Sequence, residues 1–224
     1  MRPSPDRPDP RRMLHRFSRG ERWVHWVLAA QMGILIATAA VLYFAPLEQL
    51  LGRRHLMEQI HVYTGYTLPL PLLVGWARSA ALRLDTRRMN RFTSLDWAWL
   101  RSKQRRSGKI PVGKFNAGQK LNGSFTVGAV LVMLGTGVVM HFTRLWPLTW
   151  RTGATFVHDW LALGIGLVVI GHLWFAAKDP HARVGMRTGK VPVGWARREH
   201  SAWAAEQEAA EPVTRQPKQP SPRP

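Results

Sequence analysis

The sequence predicts an all-α integral membrane protein, a bundle of four transmembrane helices. Three observations predict this fold: four long stretches with almost no charge, an excess of Lys and Arg on one set of the segments between them, and tryptophans near the stretch ends. The average composition hides the pattern, because a net charge of +19 and a mean hydropathy of −0.18 are typical of a soluble basic protein. Charged and apolar residues occupy separate parts of the chain, as in membrane proteins with basic flanks.

The uncharged stretches have the length that membrane helices need. A helix of about 20 apolar residues crosses a hydrocarbon core of ~30 Å. Asp159 is the only Asp, Glu, Lys or Arg within them, and Pro69 and Pro71 predict a bend in the second. The predicted spans are residues 26–44, 60–76, 121–143 and 155–177.

The orientation follows from the positive residues. Of the 32 Lys and Arg residues, 28 lie in residues 1–25, 77–120 and 178–224. Because positive loops stay inside, both termini and the loop 77–120 are predicted to be cytoplasmic. A cleavable signal after Arg11-Arg12 is the alternative for the first span, but signal h-regions have only about 7–15 residues. Topology also accounts for the net charge, so we predict no nucleic-acid partner.

The domain prediction is one membrane domain between two tails. Residues 1–14 and 204–224 are polar and Pro-rich, which predicts disorder, and residues 15–203 form the membrane domain. Within its cytoplasmic loop, Ser94–Arg106 mixes aromatic and basic residues. This segment is either an amphipathic helix lying on anionic lipid or a solvated basic loop.

The absence of cysteine limits the possible cofactors. With no Cys, the chain cannot supply thiolates for an iron–sulfur cluster, a covalent c-type haem or a Cys zinc site. Four histidines near the span ends are the candidate ligands, since ligand-type residues in a membrane are functional candidates. They are His25, His61, His158 and His172.

The fourth span gives the clearest geometry. His158 and His172 are 14 residues apart, which in a helix is about 21 Å of rise and about −40° of net rotation, so both project from one face. The predicted topology places His61 at the level of His158, near the outer face, and His25 at the level of His172, near the inner face. Each pair can supply both axial ligands of a b-type haem, which predicts two haem b groups and four iron-ligating histidines.

Other features support or compete with this interpretation. Glycines close to the ligands would let a porphyrin approach the backbone, although small residues also serve ordinary helix packing. They are Gly65, Gly164, Gly166 and Gly171. His141 is a competing outer ligand without an obvious partner. The remaining histidines, including His200, are predicted to be solvated. A proton relay or a small haem-free transporter is the alternative use of the four histidines.

Several motifs occur in order along the spans: Arg22–Trp26 (RWVHW), His61–Gly65 (HVYTG), Lys114–Lys120 (KFNAGQK), Thr136–Val138 (TGV), the pair His158 and His172, and the basic segment Gly189–Arg198. Together they resemble the di-haem cytochrome b (gamma) subunit of membrane-bound formate dehydrogenase, from about Arg16 to Trp203. The resemblance implies the same haem pairing. It also implies a quinone site near the inner haem, lined by Asn116, Gly118 and Gln119, for menaquinone or ubiquinone. The alternative is that Asn116 and Gln119 only cap a helix.

The resemblance further implies a place in a larger complex. The chain is expected to be the electron-carrying anchor in a bacterial inner membrane, passing electrons through two b haems to the quinone. The implied partners are an iron–sulfur subunit and a molybdenum or tungsten catalytic subunit, since this chain cannot oxidise formate itself. Similar anchors serve hydrogenases and thiosulfate reductases, so these enzyme types stay open as alternatives.

Overall fold

The computed structural model describes residues 12–105, 107 and 109–210, and these residues are mostly helical. Two short strands complete the secondary structure. The helices are α1 (Arg19–Tyr43), α2 (Ala45–Leu51), α3 (Arg54–Thr67), α4 (Leu70–Arg78), α5 (Ala80–Asn90), α6 (Ser94–Arg101), α7 (Ala117–His141), α8 (Leu148–Lys178), α9 (Pro180–Thr188), α10 (Val193–Glu199) and α11 (Ser201–Ala210); the strands are β1 (Met13–His15) and β2 (Lys190–Pro192).

In the part of the chain that the structure describes, three helices are long and apolar enough to cross a membrane: α1 and α7 with 25 residues each and α8 with 31. A helix of 25 residues is about 38 Å long, which exceeds the thickness of the hydrocarbon core. Large apolar side chains such as Leu131, Leu167 and Ile170 are exposed on them, as expected for a surface that faces lipid. The chain is therefore a helical membrane protein.

The second predicted span is not one helix. It consists of α3 and α4, separated at Leu68 and Pro69, and α3 already begins at Arg54 rather than near residue 60. Proline lacks an amide hydrogen and clashes with the preceding turn, so α3 ends before Pro69, which is the N-cap residue of α4, while Pro71 lies in the first turn of α4. The predicted span over 60–76 is therefore divided into two shorter helices, and its crossing of a membrane stays a prediction.

The helices pack as two hairpins. α1 packs against α3 and α4, α7 packs against α8, and α3 joins the two hairpins through α7. This arrangement brings the start of α1, the end of α4, the start of α7 and the end of α8 to one end of the molecule. We call it the cap end, because α5, α6, α9, α10, α11 and the β1–β2 sheet (the cap) lie there. The opposite end, with α2 and the α7–α8 turn, is the far end.

The cap has its own core. β1 and β2 pair antiparallel with Leu14 opposite Val191, and both side chains are buried together with Trp195 and Trp203. The guanidinium of Arg16 lies 4.8 Å from the Trp195 ring and 5.5 Å from the Trp203 ring. Cation–π attraction is strongest where water is excluded, so Arg16 ties the amino-terminal segment to the carboxyl-terminal helices.

Part of each predicted tail is therefore folded. Leu14 belongs to a strand and Ala204 is fully buried in α11, which continues to Ala210. Composition alone suggested polar tails, but long-range packing overrides it here. Residues 1–11 and 211–224, where the rest of the predicted tails fall, lie outside the described residues.

The loop between the hairpins contains the predicted surface helix, although it is shorter than predicted. α6 covers Ser94–Arg101 and begins at a capping box between Thr93 and Asp96. Trp99 is buried while Trp97 is exposed, so the helix has one face on the protein and another that is free. Arg106, the end of the predicted segment, lies outside the described residues, and contact with lipid stays a prediction.

Candidate functional site

At the cap end, His25 of α1 and His172 of α8 face each other. Their ring centres are 6.3 Å apart and the ring planes are inclined by 55°. His25 lies in the second turn of α1, whose start is fixed by a capping box between Ser18 and Glu21. The His25 ring is half-buried and the His172 ring is exposed in the protein alone.

At the far end, His61 of α3 and His158 of α8 form a second pair. Their ring centres are also 6.3 Å apart, with an angle of 64° between the planes. Because α8 is one continuous helix from Leu148 to Lys178, the two pairs are separated by about 21 Å along it. The structure thus brings together the same two pairs of rings that the sequence spacing predicts.

Each histidine of the far pair has a threonine on its Nδ1 atom. Thr38 Oγ1 of α1 lies 2.9 Å from Nδ1 of His61, and Thr136 Oγ1 of α7 lies 2.9 Å from Nδ1 of His158. In each hairpin, the threonine belongs to the first helix and the histidine to the second. The Nε2 atoms of the far pair are left available for a ligand.

The donor set restricts what the pairs can bind. No group of three or more His, Cys, Asp or Glu side chains with metal-binding geometry occurs in the part of the chain that the structure describes. Structural and catalytic zinc sites need three or four protein ligands, so these pairs do not fit them. Two facing imidazoles suit a metal whose remaining positions are filled by a macrocycle, as in six-coordinate haem.

The residues predicted to bind a quinone form a helix cap. The backbone N–H of Gln119 donates to Asn116 Oδ1 at 2.9 Å, and the backbone N–H of Asn116 donates to Gln119 Oε1 at 3.0 Å. This is the capping alternative that the sequence left open. It leaves the side-chain amide nitrogens of both residues available as donors. Gly118 lies against the Asn116 side chain and the Trp99 ring, where a Cβ would be in close contact at 3.4 Å.

A buried ionic cluster lies in the cap next to this run. Lys114 Nζ donates to Glu21 Oε1 at 3.1 Å and also to Asp85 Oδ2, and all three side chains are nearly inaccessible to solvent. Burial raises the pKa of Asp85 to about 7, and the neighbouring Glu21 adds to the rise. The cluster joins α1, α5 and the segment before α7. Sequence reasoning missed it, because nothing in the chain order indicates that these residues meet.

Two further histidines, His200 and His141, lie outside the two pairs. His200 was predicted to be solvated, but it is buried, and its Nδ1 lies 2.8 Å from the Gly113 carbonyl. Burial, with Arg16 nearby, lowers the pKa of His200 to about 3. His141 packs edge-on against Tyr66 at 5.9 Å between ring centres and contacts Phe142.

Comparison with known proteins agrees with this geometry. A sequence model of the prokaryotic cytochrome b561 family matches residues 16–188, which is more than half of the chain. The chain belongs to this family. Membership of a cytochrome b family implies haem b, and the donor set of the two histidine pairs fits that group.

Individual relatives are similar over most of their length. The chain is 26% identical, over 214 residues, to the cytochrome b556(Fdn) subunit of the nitrate-inducible formate dehydrogenase of Escherichia coli (strain K12), covering 89% of this chain and 94% of the relative. It is 24% identical, over 196 residues, to the cytochrome b556 subunit of the Haemophilus influenzae formate dehydrogenase, covering 82% of this chain and 79% of the relative.

Proposed function

We propose that this cytochrome b561-family protein binds two haem b groups, one on His25 and His172 and one on His61 and His158. The observation that carries the proposal is the ring separation of 6.3 Å in both pairs. An imidazole nitrogen binds a metal at about 2.0–2.1 Å and the ring centre lies about 1.1 Å behind it, so two rings on one metal have centres roughly 6.3 Å apart. Both pairs have this separation, and in each pair the two rings come from different helices.

The two groups would supply one-electron redox chemistry at two depths of the membrane. Their ligands are spaced about 21 Å apart along one face of α8, so the helix fixes both positions at once. We propose that the protein conducts electrons between its two ends in a bacterial inner membrane. The excess of Lys and Arg at the cap end supports a cytoplasmic cap and an outward-facing far end.

The proposed electron acceptor is a quinone, menaquinone or ubiquinone, at the cap end. Asn116 and Gln119 support this assignment through their free side-chain amide donors at the cap that starts α7, with Gly118 between them in the chain. An amide N–H can donate to a quinone carbonyl oxygen. The capping box holds both amides in place before a quinone arrives.

The proposed context is a formate dehydrogenase-type complex. Both relatives named above are subunits of formate dehydrogenases. Because this chain has no cysteine for an iron–sulfur cluster, we propose that a separate iron–sulfur subunit delivers the electrons and that a molybdenum or tungsten catalytic subunit acts on formate. Purification from native membranes, with the partners identified by mass spectrometry, tests the complex. Co-purification with a hydrogenase or a thiosulfate reductase instead would reject the formate assignment and leave the haem assignment intact.

The haem assignment is tested by haem quantitation and a reduced-minus-oxidised absorbance spectrum of the purified protein. The expected result is two non-covalent b haems for each chain, both reducible by dithionite. Colourless protein from cells grown with ample haem would reject the proposal and favour a haem-free transporter. A single haem would reject the two-centre arrangement.

A further inference from the structure

Thr38 and Thr136 hold the far pair of histidines in matching ways. Each hydroxyl lies 2.9 Å from the Nδ1 atom of its histidine on the neighbouring helix. Each also lies 2.8 Å from the backbone carbonyl four residues earlier in its own helix, that of Ile34 or Val132. Thr38 is almost fully buried, with 5% of its surface exposed.

These contacts determine which atom carries the proton. A hydroxyl has one hydrogen, and a backbone carbonyl oxygen can only accept. At 2.8 Å the oxygen of Ile34 or Val132 must receive the threonine hydrogen, since two oxygens at this distance without a proton between them repel. The threonine oxygen can then only accept from the imidazole, so Nδ1 of His61 and of His158 carries hydrogen.

We propose that Thr38 and Thr136 are positioning residues that fix the Nδ1–H tautomer of His61 and His158, so that each Nε2 presents its lone pair to the haem iron. This inference rests on the proposed function. A histidine that binds a metal through one nitrogen commonly donates the other N–H to an acceptor, which orients the ring and makes the ligand a stronger donor. Here the acceptor is a side chain from the partner helix of the same hairpin.

The role is specific to the far pair. Within the described residues, neither ring nitrogen of His25 or of His172 receives such a contact from a threonine or another side chain. The two hairpins also show the same contact independently, with a sequence separation of 23 between Thr38 and His61 and of 22 between Thr136 and His158. By contrast, Thr126, Thr152 and Thr155 in the long helices donate to carbonyls of their own helix, Thr126 to that of Asn122 at 2.8 Å.

The test compares valine and serine at these positions in the haem-loaded protein. Thr38→Val and Thr136→Val keep the shape of the side chain but remove the acceptor, Thr38→Ser restores it, and Thr126→Val is the matched control. The first measurement is the rate at which haem passes to an excess of haem-free globin. The second is the midpoint potential of each haem, with the two centres assigned through His61→Ala and His25→Ala.

We expect each of the two valine variants to release the far haem about 10–100-fold faster, which is the usual cost of losing such an acceptor. We also expect the potential of the far haem to rise, because a weaker donor stabilises ferric iron less. The haem at the cap end should be unaffected in the same molecules, which shows that the fold is intact. Thr38→Ser should return both quantities close to those of the unmodified protein.

Two outcomes overturn the proposal, and they differ from failure of the proposed function. If both valine variants retain the far haem as firmly as Thr126→Val does, with an unchanged potential, the threonines do not position the ligands. If Thr38→Ser behaves like Thr38→Val, the effect comes from packing and not from the hydroxyl. Absence of haem from the unmodified protein would instead reject the function on which the inference rests.

Discussion

The two histidine pairs have the same ring separation but are held by different means. At the far end, His61 and His158 are each fixed by a threonine hydroxyl from the adjacent helix. At the cap end, the helices that carry His25 and His172 are instead anchored from outside, by polar contacts between the cap and the helix ends. Arg22, at the start of α1, donates to the Arg187 carbonyl of α9, which follows α8.

The two ends therefore pre-organise their histidines in different ways. A hydrogen bond from the neighbouring helix orients a histidine ring directly, whereas the position of an anchored helix end depends on the folding of the cap. The buried cluster of Lys114, Glu21 and Asp85 is part of that unit, because Glu21 lies one helical turn before His25 on α1. Loss of cap structure should therefore disturb the cap-end pair and leave the far pair intact.

The largest expected effect is the loss of one haem at a time. His61→Ala or His158→Ala should remove the far haem only, and His25→Ala or His172→Ala the cap-end haem only, because each iron loses one of its two protein ligands. The measurement is haem content per chain, expected to fall from two to one, with a different spectrum for the two groups of variants.

His141→Ala is the control for this experiment, because His141 lies at the end of α7 and packs on Tyr66. It should retain both haems. Retention of both haems in any of the four ligand variants would reject the assignment of that histidine. Loss of both haems in each of them would show that the pairs are not independent, which contradicts the comparison between the two ends.

The pairing of the four histidine rings could be predicted because it depends on helix periodicity and on the order of the helices. His158 and His172 lie on one helix, and uncharged runs together with positive flanks give the order and direction of the others. The interruption of the second span at Pro69 was underestimated, since the sequence does not say whether neighbouring helices can satisfy the freed backbone groups.

The parts that could not be predicted depend on contacts between distant residues. Leu14, opposite Val191, and Arg16, under Trp195, bring together the two ends of the chain, and a polar, Pro-rich composition gives no sign of this. The contact between Thr38 and His61 could not be predicted for another reason. A threonine in an apolar helix usually bonds its own backbone, and only the position of α3 shows that His61 reaches it.

The second prediction tests how far the cap-end pair depends on the cap. Lys114→Met leaves the carboxyl groups of Glu21 and Asp85 buried without their cation. Breaking a buried ion pair on one side typically costs about 3–5 kcal/mol. We expect a lower unfolding temperature in detergent, with the cap-end haem lost before the far haem.

The double variant Lys114→Met with Asp85→Asn provides the control. It removes one of the two buried carboxyl groups that have lost their cation and should recover part of the lost stability, as expected if these carboxyl groups cause the effect. A Lys114→Met protein that unfolds at the same temperature as the unmodified protein would show that the cluster does not anchor the cap. Simultaneous loss of both haems would contradict the independence of the two ends.

The third prediction concerns acid. Burial lowers the pKa of His200 to about 3, against about 6.5 in an unfolded chain. Between these two pKa values the imidazole is protonated in the unfolded state but not in the folded state. The contribution of neutral His200 to the free energy of unfolding is therefore complete above about pH 6.5 and declines as the pH falls towards about 3. Asp85 acts in the opposite direction as the pH falls from about 7, because its raised pKa lets the folded protein bind the proton first.

The effect of His200 is separated from that of Asp85 by comparing the unmodified protein with a variant that lacks only the histidine. The difference in unfolding free energy between the unmodified protein and His200→Gln should shrink by at most about 1.4 kcal/mol for each pH unit below 6.5. The exposed His181 of α9 provides the control variant, His181→Gln, which should not reproduce this decline. A difference that is constant between pH 6.5 and 5 would show that His200 is not held neutral by burial.

The smallest expected effect tests whether an ion pair of the cap must be buried to contribute strongly to the free energy of unfolding. Arg197 of α10 and Glu208 of α11 form a two-pronged ion pair, with Nε to Oε1 at 2.9 Å and Nη2 to Oε2 at 3.0 Å, but the arginine side chain is 45% exposed. Exposed pairs contribute about 0–1 kcal/mol, so Arg197→Gln should lower the unfolding free energy by less than about 1 kcal/mol, and by less still at 1 M salt. Both haems should be retained at all temperatures below unfolding. A loss as large as that of Lys114→Met would mean that the surface of the carboxyl-terminal helices, rather than the buried cluster, anchors the cap-end pair.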